Sequence, residues 1–192
     1  MNYGELKAAV SAYAHRTDLA PMFATFLANA EQRIYFGELN SPKLRITAMR
    51  DFATLANGTQ PAGYLEAIKV TPSGRAELDL SDRPLAAMPN EFQSYAWDGK
   101  TLVLSRDQTF PVDLTFYKRM DSPVLDTDTN WLMTNAPNVY LSSLLVEYAR
   151  WSRDDVLGGR VASDYSSAIN SLQSQDTAAR ISGSTLRMKR RT

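Results

Sequence analysis

The sequence predicts an α+β protein. An antiparallel helical bundle, two helices from each end of the chain, carries an inserted antiparallel β-sheet or small sandwich and ends in a flexible C-terminal tail. Three observations predict this. Apolar residues recur at helical spacing before Ser41 and again after Pro137, the intervening stretch alternates with period two, and the last residues lose apolar periodicity altogether. The expected segments are 1–41 for the first helix pair, 42–120 for the β insertion, 121–176 for the second pair and 177–192 for the tail.

In NYGELKAAVSAYAHR, Leu6, Ala9, Val10 and Tyr13 share one helical face. RTDLAP follows, with Thr17 or Asp18 placed to cap a second helix and Pro21 tolerated in its first turn. That helix aligns Phe23, Phe26, Leu27, Ala30 and Ile34 and should stop near Gly37. The runs LRITAMRDF, YLEAIKV, RAELDL, QSYAWDG, TLVLS and VDLTFYKR then read as short strands separated by turn chemistry. Asp98-Gly99 suits a tight hairpin. Leu141, Leu144, Leu145, Tyr148 and Trp151 stripe a third helix. Gly158-Gly159 should break it, and Val161, Tyr165, Ala168, Ile169 and Leu172 stripe a fourth.

A chain of 192 residues buries enough surface to fold without disulfides or metals. The absence of cysteine removes thiol nucleophiles, disulfides and zinc–thiolate sites. No apolar run is long enough to span a bilayer, and no secretory leader is visible, so no membrane partner is expected. The net charge of zero conceals a division. Residues 1–176 carry 16 basic and 21 acidic side chains, a net charge of −5. Arg180, Arg187, Lys189, Arg190 and Arg191 give the end of the chain +5.

Asp126, Asp128 and Asn130 open DTDTNWLMTNAPNVY as a calcium loop would. Trp131 stands where such a loop needs glycine, however, and Pro137 where it needs a bidentate glutamate. These oxygens are expected to hold a turn, with Asn135 capping the helix that begins at Pro137. His15 lacks a recognisable partner cluster for acid–base work and suits the carbonyl end of the first helix. Asp154-Asp155, as neighbours on a helix, point in different directions. Nucleophile elbows, phosphate loops and dinucleotide fingerprints are absent, so neither catalysis nor a cofactor is expected. The remaining signal is LRMKRRT, where Leu186 and Met188 alternate with basic residues. That pattern suits an acidic protein groove or nucleic-acid phosphates.

The stretches YGELKAAVSAYAHRTDL, FLANAEQRIYFGEL and TNWLMTNAPNVYLSSLLVEYARWSRDD resemble the head-to-tail adaptor (connector) proteins of tailed bacteriophages, distantly akin to tail tubular protein A. Asn130, Trp131, Asn135, Pro137, Tyr140, Asp154 and Asp155 are the residues that carry the likeness most specifically. The resemblance implies a structural, non-enzymatic virion protein at the head–tail junction, assembled in the host cytoplasm. It implies a homo-oligomeric ring, commonly dodecameric, beneath the portal protein, with a tail nozzle or tail tube protein on the other side and phage DNA passing through the channel. It also implies that the basic end docks on the portal, through Arg180, Leu186, Arg187, Met188, Lys189, Arg190 and Arg191. The alternative is a DNA-binding or packaging accessory protein that uses the same basic end on phosphates.

Overall fold

The computed structural model describes residues 1–38 and 41–182, and the chain falls into two compact units. Among the described residues, one unit gathers those up to Ala48 with those from Met120 onward, and the other is Met49–Arg119. The second unit is therefore an insertion within the first.

In the helical unit, α1 (Tyr3–Ala14) begins with a reciprocal cap. The Asn2 side chain accepts from the Glu5 amide at 2.8 Å, and the Glu5 carboxylate accepts from the Asn2 amide at 3.0 Å. It buries Tyr3, Leu6 and Val10, a stripe of spacing three and four, whereas Tyr13 is exposed, contrary to the sequence expectation. α2 (Phe23–Phe36) buries all five of its expected apolar residues and ends at Gly37, whose φ of 77° suits glycine. Neither Thr17 nor Asp18 caps it. Asp18 pairs with Arg16, and the chain enters α2 through a 3-10 turn, Ala20–Met22, that holds Pro21.

α3 (Trp131–Asn135) is a single turn of helix before α4 (Pro137–Ser152). Val139, Tyr140, Ser142 through Ala149 are all buried, so α4 is enclosed on nearly every side. It packs against α1, α2, α3 and α5 (Asp155–Ser182). The break between α4 and α5 falls at Arg153, in the left-handed region at φ 59°, and not at Gly158-Gly159, which α5 runs straight through. α5 buries Val161, Tyr165, Ala168 and Ile169 and continues to Ser182, past the expected start of the tail at residue 177. Among the described residues, no helix is long and apolar enough to cross a membrane.

The inserted unit holds two three-stranded sheets. In the first, β6 (Val112–Lys118) lies between β1 (Arg50–Leu55) and β2 (Tyr64–Pro72), antiparallel to both. In the second, β4 (Ser94–Asp98) pairs antiparallel with β5 (Thr101–Leu104) and, unlike the expected pattern, parallel with the two-residue β3 (Ser81–Asp82). Gly99, at φ 59°, turns the β4–β5 hairpin. Side chains from both sheets form one core, including Leu55, Val70, Tyr95, Leu102, Leu114 and Phe116.

One expected strand is absent, and another, LRITAMRDF, is a strand only from Arg50, where β1 begins. RAELDL is a succession of turns after Gly74, in which the Arg75 amide donates to the Pro72 carbonyl and the Leu78 amide to that of Arg75. Leu44 and Ile46 alternate as strand residues do, yet both are buried in an irregular segment of the helical unit, where the Leu44 amide donates to the Ile34 carbonyl at 2.8 Å.

Candidate functional site

The loop before α3 closes on itself and on the start of α1. One carboxylate oxygen of Asp128 accepts from the amides of Val124, at 2.9 Å, and Leu125, at 2.8 Å. These two bonds hold the Asp128 carboxyl below the usual aspartate range. The backbone carbonyls of Asp128 and Asp126 accept from the Tyr3 and Gly4 amides, each at 2.9 Å, and the Lys7 ammonium donates to the Asp126 carboxylate. A Cβ on Gly4 would lie 3.1 Å from that of Asp126, so the close approach favours glycine. The acidic oxygens of DTDTN thus fix backbone and bind Lys7. Among the described residues, no group of three or more His, Asp or Glu is placed to hold a metal ion.

A polar chain carries this loop into the bundle. Asn130 caps α3, its side-chain oxygen accepting from the Met133 amide at 3.0 Å, while its nitrogen donates to the Asp121 carbonyl at 3.0 Å and the Tyr140 hydroxyl at 3.1 Å. The Tyr140 hydroxyl donates to Glu31 at 3.1 Å, and the Ser122 hydroxyl donates to the other oxygen of the same carboxylate. Tyr140 is fully buried, and burial pushes its hydroxyl pKa far above the ordinary tyrosine value. Asn130 and Tyr140, two of the residues singled out in the sequence, therefore meet directly.

The others do different work. Asn135 donates back to the Trp131 carbonyl at 2.9 Å and caps nothing, since α4 starts without a side-chain cap at Ala136, with Pro137 in its first turn. Trp131 is partly exposed while Leu132 is buried. Asp154 caps α5, accepting from the Leu157 amide at 2.9 Å, and Asp155 lies in that helix's first turn, where a negative charge is favoured. Arg180, on α5, pairs with Asp176 at 3.6 Å. Leu186, Arg187, Met188, Lys189, Arg190 and Arg191 lie outside the described residues. His15 is exposed and serves through its backbone, as the left-handed cap of α1.

A second network was not foreseen from the sequence. The Arg33 guanidinium, 2% exposed, donates to the Glu147 carboxylate, to the Ser143 carbonyl at 2.9 Å and hydroxyl at 3.0 Å, and to Glu38 at 3.1 Å. Arg150 adds bonds to Glu38 at 2.8 Å and Glu147 at 3.3 Å. Burial alone would raise the Glu38 carboxyl, but the hydrogen bonds from Arg150 and Arg33 outweigh it and hold the carboxyl below its ordinary value. Opposite charges and backbone acceptors thus satisfy the buried ions and tie α2 to α4. The signal was present in the sequence. Arg33 stands directly before Ile34 of the α2 stripe, and Glu147 stands between Leu144 and Tyr148 of the α4 stripe, both on largely apolar helices.

A groove of about 400 Å³ runs between α1, α4 and α5, lined by Tyr13, Asn138, Leu141, Leu145, Ser167 and Ser171 among others. Asp164 is its one acidic side chain, so no acid–base pair converges there. What the helical unit does offer is an ordered surface. The clamped loop exposes Val124 at 78% and Leu125 at 64%, an arrangement suited to assembly.

The family model of the SU10 adaptor protein matches residues 1–189. The chain belongs to the SU10 adaptor protein family. Membership places it among the structural adaptors of bacteriophages. No curated protein matches the chain.

Proposed function

We propose that this SU10-family adaptor is a ring-forming subunit of the head–tail junction of a tailed phage. The ring sits beneath the portal, continues the DNA channel and receives the tail nozzle on its opposite side. The observation that carries this reading is the family match across both units. The architecture supports it: a bundle braced by buried ion pairs supplies a rigid frame, and a separately cored β insertion supplies additional surface. The net acidic character of residues 1–176 is consistent with a channel that does not retain DNA.

The test is co-incubation of the purified protein with portal rings, followed by mass photometry and negative-stain electron microscopy. The expected product is a portal capped by one ring of this chain. Failure to associate under conditions where the portal is intact would overturn the reading.

A further inference from the structure

The corner that follows β1 combines three conditions for a reaction of the chain with itself. Asn57 is exposed and precedes Gly58, and no other asparagine of this sequence precedes glycine. Its side-chain oxygen accepts from the Thr59 amide at 3.2 Å, which draws electron density from Cγ, while its side-chain nitrogen donates to no described residue. Gly58 is buried, yet its amide donates no hydrogen bond among the described residues, and glycine sets no Cβ beside it. Other asparagines lack one of these conditions. The amide after Asn90 donates to the Met88 carbonyl at 3.3 Å, and that after Asn138 to the Ala136 carbonyl at 3.1 Å. Asn29, Asn130 and Asn135 have their side-chain nitrogens tied in hydrogen bonds.

We propose that Asn57-Gly58 is a self-modification site, at which Asn57 converts to aspartate or isoaspartate through a succinimide. The Gly58 nitrogen gives its proton to base and attacks Cγ of Asn57, forming a new C–N bond. The Cγ–Nδ2 bond breaks, and the side-chain nitrogen takes up a proton and leaves as ammonia. Water then opens the five-membered ring. Cleavage at Cγ yields aspartate, and cleavage at the main-chain carbonyl carbon yields isoaspartate, in which the chain runs through Cβ and Cγ. Nothing is oxidised or reduced, and water is the sole co-reactant.

The position gives the change a structural consequence. The Gly58 carbonyl accepts from the Leu102 amide at 2.8 Å, and the Gln60 amide donates to the Lys100 carbonyl at 2.9 Å, so residues 58–60 cover the edge of β5. A Cβ on Gly58 would lie 2.7 Å from both the Leu102 carbonyl oxygen and the Phe110 ring, so this segment has no room to shift. Isoaspartate inserts one extra main-chain atom directly before it and adds a negative charge. The longer corner draws residues 58–60 off β5 and leaves that strand with an unpaired edge, which is open to another chain.

The experiment holds the full chain at mildly alkaline pH until a synthetic peptide of residues 54–61, kept beside it, has half converted. Mass spectrometry with electron-transfer fragmentation then locates each lost amide and separates aspartate from isoaspartate. Hydrogen exchange reads the protection of the Leu102 and Gln60 amides in the same samples. The expected result is conversion at Asn57 before any other asparagine, with protection at Leu102 and Gln60 lost in proportion to the isoaspartate formed. Freshly prepared Asn57→Asp, which carries the charge without the extra atom, should keep that protection, and Asn57→Gln should stay both unconverted and protected. An Asn57 that remains intact in the folded chain overturns the site. Conversion to isoaspartate with Leu102 and Gln60 as protected as in Asn57→Gln overturns the opening of the β5 edge.

Discussion

Replacing Glu147 with alanine tests whether the buried ionic network braces the bundle. The substitution leaves Arg33, 2% exposed, without its closest counter-charge. Breaking a buried pair by removing one partner costs about 3–5 kcal/mol, because the remaining ion stays buried and uncompensated. Here the lower end applies. Arg33 keeps its bonds to the Ser143 carbonyl and hydroxyl and to Glu38, whose side chain is 36% exposed and so screens less completely than Glu147. A loss of about 3 kcal/mol in a chain of this size corresponds to a fall of about 6–12 °C in the melting temperature of the helical unit. Thermal melts followed by far-ultraviolet circular dichroism near neutral pH measure it directly. The double variant Arg33→Met/Glu147→Leu removes both charges and restores apolar volume, so it should recover most of the loss. If Glu147→Ala melts within about 2 °C of the parent, less than about 1 kcal/mol, the network is not a brace. A double variant less stable than either single change would also refute the reasoning.

Tyr140→Phe removes the hydroxyl that joins Asn130 to Glu31, and should cost about 1–3 kcal/mol and speed amide exchange across residues 121–130. Unchanged exchange there would show that the loop is held by its own clamp alone. Asp128 has its carboxyl held below the usual range by the Leu125 and Val124 amides, so its contribution is present above the unfolded aspartate value and is lost as pH falls through the lower folded value. The protection of the Val124 and Leu125 amides, taken relative to the intrinsic exchange rate at each pH, should fall through that acid window in the parent and be low throughout in Asp128→Ala. Gly159→Ala meets nothing within 4 Å on α5 and should stabilise by about 0.5–1 kcal/mol in urea denaturation. Gly58→Ala, at φ 75° with its new Cβ 2.7 Å from the Leu102 carbonyl oxygen, should instead destabilise the β unit by more than about 1 kcal/mol.

The parts of the fold legible in the sequence were those governed by local periodicity. The α2 stripe and most of those of α1 and α4 follow from spacing, although Tyr13 and Trp151 at their ends are exposed, and the Asp98-Gly99 hairpin follows from glycine's tolerance of positive φ. Where local preference competed with packing, packing prevailed. Glycine at 158 and 159 costs helix propensity, but Val161, Tyr165 and Ile169 hold α5 on α4. Leu44 and Ile46 alternate like a strand because any extended segment with one buried side does so, and period two cannot say whether a ladder partner exists. Asn130 and Asn135 both precede helical turns, and only the one-turn helix between them decides that Asn130 is the cap. The Glu31–Tyr140–Asn130 chain lay beyond sequence reading for another reason. Its members are separated by about a hundred residues on one side, and a carboxylate in an apolar stripe reveals its partner only after folding.

An asymmetric cryo-electron microscopy reconstruction of the virion neck tests the central claim most directly. The account predicts a ring of this chain directly beneath the portal, with density matching both the five-helix unit and the two-sheet insertion. A neck in which the portal meets the tail with no such ring, or virions that lack the protein, would contradict it.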